Sequence, residues 1–298
     1  MVLKSQVCVR VVLKKVLKKD CSALSFQLGG QSMNGMEFKM KKKIYITGLF
    51  IIMGLLVVPK IASALGEYVY LPSDNLRTEL SRDVADPNNL FEKYGIFEKD
   101  VVQNYTGTIV GELSDKDFNL EGVNEFKSAH KFSTEGGTFK DLRSLGELEQ
   151  LKELELYDIN LLVPNLEDLS KLSELERIYF EGHEASFTDI SALSNLPQLK
   201  EIKISLDDNK LATYKISKSN PSLTIVDPVT LSSQFKNAKV EYSSFDENVT
   251  ISSEGILEWE NIPTDTKELH FEFLAEVEDG EAFYSFRGQT TIPITWNK

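Results

Sequence analysis

"DISALSNLPQLKEIKISLDD" runs from Asp189 to Asp208 and fits neither a helix nor a strand throughout. Apolar side chains return at Ile190, Leu193, Leu196 and Leu199 in steps of three, then at Ile202 and Ile204 in a step of two. A helix repeats its buried face every three to four residues and a strand every two, so the stretch joins two kinds of structure. The same six positions recur 24 residues earlier as Leu166, Leu169, Leu172, Leu175, Ile178 and Phe180. A further 24 back they are Leu142, Leu145, Leu148, Leu151, Leu154 and Leu156. A fixed period in the twenties around an L-x-x-L-x-L core is the pattern of a leucine-rich repeat. Each copy predicts one short parallel strand with its last two apolar side chains inward. The arm stepped in threes returns behind that strand as a turn of 3₁₀- or α-helix. One unit cannot bury its own apolar side, so copies stack into a continuous core. The asparagine that usually closes the turn is missing, its places being held by Ile159, His183 and Asp207.

Before the repeats, "SDNLRTELSRDV" carries Leu76, Leu80 and Val84 at helical spacing, with Ser73 or Asp74 as N-cap. Pro87 opens a second helical piece containing Leu90, Phe91 and Tyr94. Leu120, Val123 and Phe126 step in threes again, which predicts a degenerate first repeat within 120–139. Residues 65–140 thus read as a helical cap and that first repeat, and residues 141–220 as the repeats proper.

After Pro221 the period becomes two. Leu269, Phe271, Phe273, Ala275 and Val277 alternate with mostly polar residues, as do Ile292, Ile294 and Trp296. Asp279-Gly280 lies between two strand-like runs as a tight hairpin turn. Residues 221–298 therefore predict a small β-sandwich, with Pro293 placing the last strand at an edge. No Gly/Ser-rich tether separates repeats from strands, so a rigid joint is expected, with Leu223, Ile225 and Val226 buried near it.

The first 64 residues differ from the rest. Met40-Lys41-Lys42-Lys43, an apolar run from Ile44 to Val58, and Ala62-Ser63-Ala64 have the layout of a secretory signal peptide over 40–64. An uncleaved signal anchor is the alternative reading. Residues 1–39 then stand upstream of a complete signal, so they are read as not part of the true protein. The basic stretch "VCVRVVLKKVLKKD" within them also admits a membrane-seeking helix. Both cysteines, Cys8 and Cys21, fall in the removed part, which leaves no disulfide or thiol chemistry. Residues 65–298 keep 22 basic against 44 acidic side chains. Such an excess of negative charge argues against general attraction to nucleic acid or to an anionic membrane.

The order of signal peptide, helical cap, repeats and β-rich end resembles the internalin family of secreted and surface proteins of Gram-positive bacteria such as Listeria. "TDISALSNLPQLKEI" (Thr188–Ile202) resembles that family's repeat, and "TIVDPVTL" (Thr224–Leu231) with "ILEWENIP" (Ile256–Pro263) resembles its post-repeat domain. The period is longer than the family's usual one. The resemblance implies an α/β leucine-rich repeat solenoid with a helical N-terminal cap, fused to an all-β immunoglobulin-like sandwich. It also implies a monomeric, secreted module that binds a protein, from the surface or secretions of a host.

Little points to catalysis. After residue 64 the histidines are His130, His183 and His270, and none has a metal-ligand partner at helical or hairpin spacing. No G-x-S-x-G elbow or phosphate loop occurs, and Asp207-Asp208-Asn209 lacks the spacing of a calcium loop. The sequons at Asn104 and Asn248 are chance matches in a bacterial product. No catalytic residue, metal site or cofactor is expected. The candidate ligand surface is the concave face of the repeat strands: Glu153, Glu155 and Tyr157, then Arg177, Tyr179 and Glu181, then Glu201, Lys203 and Ser205. Rows of opposite charge across strands also stabilise a sheet by themselves, so these residues fit two roles. The alternative function is a structural or spacer component of the bacterial cell envelope without a host ligand. An extracellular enzyme is a third reading. No L-P-x-T-G motif follows Trp296, so the sequence offers no covalent cell-wall anchor.

Overall fold

The computed structural model describes residues 68–83, 94–113, 119–236 and 238–297, within a compact unit spanning Leu65–Lys298. The expected signal peptide, residues 1–39, Val84, Pro87, Leu90 and Phe91 lie outside the described residues.

The first element among the described residues is β1 (Tyr68–Tyr70), paired antiparallel with β2 (Ile96–Glu98). Between them, helix α1 (Asp74–Asp83) buries Leu76 and Leu80, and Ser73 Oγ accepts from the Leu76 amide at 3.4 Å. A short helix α2 (Lys99–Gln103) leads to β3 (Thr108–Glu112), against which α1 packs. The N-terminal part thus mixes helix and strand.

From β3 onward the strands stack parallel. They are β4 (Lys131–Glu135), the two-residue β5 (Thr138–Phe139), β6 (Glu153–Leu161), β7 (Arg177–Ala185) and β8 (Glu201–Lys210). Each long strand pairs in register with the next, so that Phe132, Leu154, Ile178 and Ile202 form one ladder. Thr134, Leu156, Phe180 and Ile204 form a second, and every member of both is buried. The arms return as 3₁₀ or α turns at Val123–Glu125, Arg143–Gly146, Glu167–Leu169 and Ser191–Asn195. All six apolar positions of each 24-residue copy are buried, as the spacing predicts.

Two differences explain the unusual period and the absent asparagine. The first copy, 22 residues before the second in register (Lys131 opposite Glu153), runs from Phe139 directly to Leu142. Later copies insert extra residues there, and these bury Val163 and Phe187. After Phe180 the chain does not turn; it continues as strand, with Ile159 opposite Gly182 and Ala185 opposite Asn209. Neighbouring strands therefore satisfy the backbone groups that an asparagine would otherwise reach. A buried asparagine does occur two positions beyond Asp207. Asn209 Oδ1 accepts from the Phe187 amide at 3.1 Å, and its Nδ2 donates to Thr290 Oγ1 at 3.4 Å.

Beyond β8 come β9 (Tyr214–Ser217), β10 (Leu223–Val226), β11 (Glu241–Ser243), β12 (Val249–Ile251), β13 (Ile256–Trp259), β14 (Glu268–Asp279) and β15 (Ala282–Asn297). Strands β10, β13 and β12 make a small antiparallel sheet. The β14–β15 hairpin turns through Gly280 at φ 65°, as expected of Asp279-Gly280. It does not stand apart from the repeats: β15 pairs parallel with β8, setting Tyr284 opposite Ile202 and Phe286 opposite Ile204. One ten-stranded sheet therefore crosses the joint, with β11 outside β14.

A matching arm comes from elsewhere in the chain. Asp189 bridges Thr230, and the Ile190 amide donates to Thr230 O at 2.9 Å. The turn Ser233–Phe235 then lies on the last repeat arm, where Gln234 Nε2 donates to the carbonyls of Leu193 (2.9 Å) and Leu196 (3.2 Å). Phe235 is buried beside Tyr284, ring centroids 5.8 Å apart. A final rung is thus assembled from two separate segments, and the open apolar end of the repeats is covered.

Two local expectations are corrected. Pro293 marks no edge: β15 lies between β14 and, in turn, β8 and β9, and Pro293 falls where the neighbour changes, between Thr291 (opposite Lys210) and Ile294 (opposite Tyr214). Its missing N–H costs no ladder bond there. The joint is not built on Leu223, Ile225 and Val226. Ile225 is buried, Leu223 half-buried and Val226 exposed, all in the small sheet, because the joint uses Phe235, Tyr284 and Phe286 instead.

Candidate functional site: the open face of the sheet

Strand alternation sends every second side chain of β4, β6, β7, β8 and β15 away from the core. Those side chains form rows across the sheet. The first row reads Lys131, Glu153, Arg177, Glu201, Phe283, and the second reads Ser133, Glu155, Tyr179, Lys203, Ser285. In the third, Glu112 stands opposite Glu135 and Glu135 opposite Tyr157; further along, Glu181 stands opposite Ser205 and Ser205 opposite Arg287. All nine residues anticipated from the sequence are therefore on one face, half-buried except for exposed Arg177 and Glu181.

Within the first two rows charges satisfy one another. Lys131 Nζ lies 3.1 Å from Glu153 and 2.7 Å from Glu155. Arg177 spans Glu153 at 3.7 Å and Glu201 at 2.7 Å, and Lys203 reaches Glu201 at 2.5 Å. Hydrogen bonds from Lys203 and Arg177 hold the Glu201 carboxyl below the usual glutamate range. Lys203 also sits over the Phe283 ring, 5.3 Å from its centroid. Alternating charge of this kind is the expected stabilisation of neighbouring strands.

The tyrosines are arranged differently. The Tyr157 and Tyr179 rings lie 4.7 Å apart at 37°, across the break in register where Asp158 takes φ 53°. Tyr179 Oη donates to Glu181 at 3.2 Å. Burial, then the nearby carboxylates of Glu155 and Glu181, raise the two hydroxyls above the ordinary tyrosine value, so both stay neutral donors. The pair gives the face an aromatic centre with polar tips. Sequence reasoning missed Lys131, Ser133 and Glu135, because the first copy lacks strand leucines, and Phe283, Ser285 and Arg287, because β15 follows no period.

Other clusters are smaller. His183 Nε2 contacts Asp158 Oδ1 at the rim, with Asp207 at 3.8 Å from Nδ1. His270 Nδ1 lies 3.0 Å from Asp246, whose other oxygen accepts from Trp259 Nε1 at 2.9 Å and from the His270 amide at 2.6 Å. That carboxylate pins the segment between β11 and β12 onto β13 and β14. Among the described residues no group of three His, Cys, Asp or Glu is placed to hold a metal, and no helix is long and apolar enough to cross a membrane.

No protein-family model and no curated protein sequence matches the chain. Among solved structures, one of Clostridium perfringens ZmpB (CBM51-2 in complex with GlcNAc, and INT domains) is similar at 13% identity and TM-score 0.27, over 75% of this chain and 36% of that one. The chain therefore spans little more than a third of that structure's length. Listeria monocytogenes InlP is similar at 10% identity and TM-score 0.20, over 75% of this chain and 96% of its own. Internalin C2 of Listeria monocytogenes is similar at 15% identity and TM-score 0.27, over 46% of this chain and 75% of its own.

Proposed function

We propose that residues 65–298 are a secreted, monomeric, internalin-like module that binds a host protein through the open face of its repeat sheet. In this reading residues 40–64 are the signal peptide, residues 141–220 form a leucine-rich repeat solenoid behind a helical cap, and residues 221–298 form an immunoglobulin-like end piece. The module has no catalytic role and no cofactor. The observation that carries the reading is the stacked pair Tyr157–Tyr179, half-buried on the face that also presents exposed Arg177 and Glu181. Aromatic side chains with polar tips are the residues most enriched where proteins dock.

The ion pairs linking Lys131, Glu153, Arg177 and Glu201 favour a second reading, a spacer of the cell envelope whose face only holds its strands together. An affinity capture with residues 65–298 as bait separates the two. The binding reading expects a host protein retained by the parent and lost by Tyr157→Ala/Tyr179→Ala with its circular dichroism unchanged. Equal capture by parent and variant contradicts it.

A further inference from the structure

The charges on the open face are distributed unevenly. Towards the start of each strand, cations and carboxylates alternate and pair, from Lys131 through Glu153 and Arg177 to Glu201. Towards the end they do not. Glu112 stands directly opposite Glu135, both exposed, and among the described residues neither carboxylate has a basic partner. Glu181 is exposed and, among the described residues, takes only the Tyr179 hydroxyl. Arg287, at the far end of this row, is turned to Ser205, its Nε donating to Oγ at 3.0 Å. Like charges on neighbouring strands destabilise a sheet, so among the described residues this end of the face keeps a repulsion that the other end has removed by pairing. The Tyr157–Tyr179 pair lies between Glu135 and Glu181, and Val110 of β3, 42% exposed, adds an apolar contact beside Ser133.

We infer that this end of the sheet face docks a protein segment that presents arginine. The inference rests on the binding reading above and specifies its partner. A guanidinium is planar and weakly hydrated. It can stack on a tyrosine ring while its fork of N–H donors takes a carboxylate edge-on, which a lysine ammonium does less well. A cation seated between Glu135 and Glu181 relieves the repulsion at Glu112–Glu135, an energy absent from the unbound protein and gained only on docking. Attraction between the exposed carboxylates and a basic segment also speeds encounter, and it weakens with salt.

The test uses the purified protein and short peptides alternating arginine with serine, with a peptide alternating asparagine with serine as the neutral control. Calorimetry should show saturable one-to-one binding of the arginine peptide that weakens as salt rises. Glu112→Gln/Glu135→Gln/Glu181→Gln and, separately, Tyr157→Ala/Tyr179→Ala should each weaken it about tenfold. Glu247→Gln/Glu254→Gln/Glu260→Gln removes equal charge from exposed positions elsewhere and should leave it unchanged. Non-saturable binding, or equal weakening by the distant triple variant, reduces the effect to general attraction and overturns the inference. Equal, tyrosine-dependent binding of the neutral peptide overturns the arginine assignment while leaving the docking face in place.

Discussion

Replacing Phe286 by alanine tests whether the final rung is part of the repeat core. Phe286 has 0% exposure, stands opposite Ile204 of the last repeat, and meets Phe273 edge-on with centroids 4.8 Å apart. A phenylalanine buries roughly 150–250 Å². At about 25 cal/mol per Å² the whole side chain is worth about 4–6 kcal/mol. Alanine keeps part of that, while the lost ring pair adds back about 0.5–1.5 kcal/mol. The expected destabilisation is about 3–5 kcal/mol, the usual span for buried Phe→Ala. With a urea slope of about 3 kcal/mol per M, the midpoint falls by about 1–1.7 M. The protein's two tryptophans, Trp259 and Trp296, both follow residue 221, so their fluorescence reports the end piece while far-ultraviolet circular dichroism reports the whole unit. Both signals should shift together in a single transition. A fluorescence midpoint that falls while most of the dichroism change stays at the parent value would show an independently folding end piece and refute the shared rung.

Phe180→Ala in the middle repeat, 1% exposed, should cost about 3–5 kcal/mol in the same urea assay. Gly146→Ala should destabilise by about 1–3 kcal/mol, since its new Cβ would lie 2.0 Å from Asp168 O on the neighbouring arm; differential scanning calorimetry reads the loss. Asp246→Ala removes the acceptor of Trp259 and His270 and should cost about 1–3 kcal/mol, with a red shift of tryptophan emission in the native state. The folded-state pKa of Glu201 is lowered, so its contribution is full above the ordinary glutamate value of 4.5 and is lost as pH falls through the lower folded value. Acid titration of Glu201→Gln should therefore show a shallower stability decline below that value than the parent.

What was legible in the sequence is what repeats locally. Leu154, Leu156, Ile178, Phe180, Ile202 and Ile204 announce both period and face, and all are buried. The alternating positions beside them bring the anticipated residues to one face for the same reason. The rung at β3 was hidden because its inward positions are Ile109 and Gly111, with no leucine arm of matching spacing before them. The strand continuations beyond Phe180 were hidden by polar Asp158, His183 and Asp207, which sit at the rim while their neighbours Ile159, Gly182 and Leu206 carry the ladder. The final rung could not be read as a repeat. Its arm around Thr230–Phe235 and its strand at Phe283–Gly288 are separated by the whole of β11 to β14, so no periodicity links them. Tertiary pairing supplies what local pattern lacks.

The claim that matters most is that the open face, and not the arms behind it, meets a protein partner. Placing a photo-cross-linking residue at Glu181 on the face, and in a second protein at Lys171 on an exposed arm, measures this directly. With a captured partner present, the account predicts a cross-linked complex from position 181 and none from position 171. Cross-linking from position 171 with none from position 181 would contradict it.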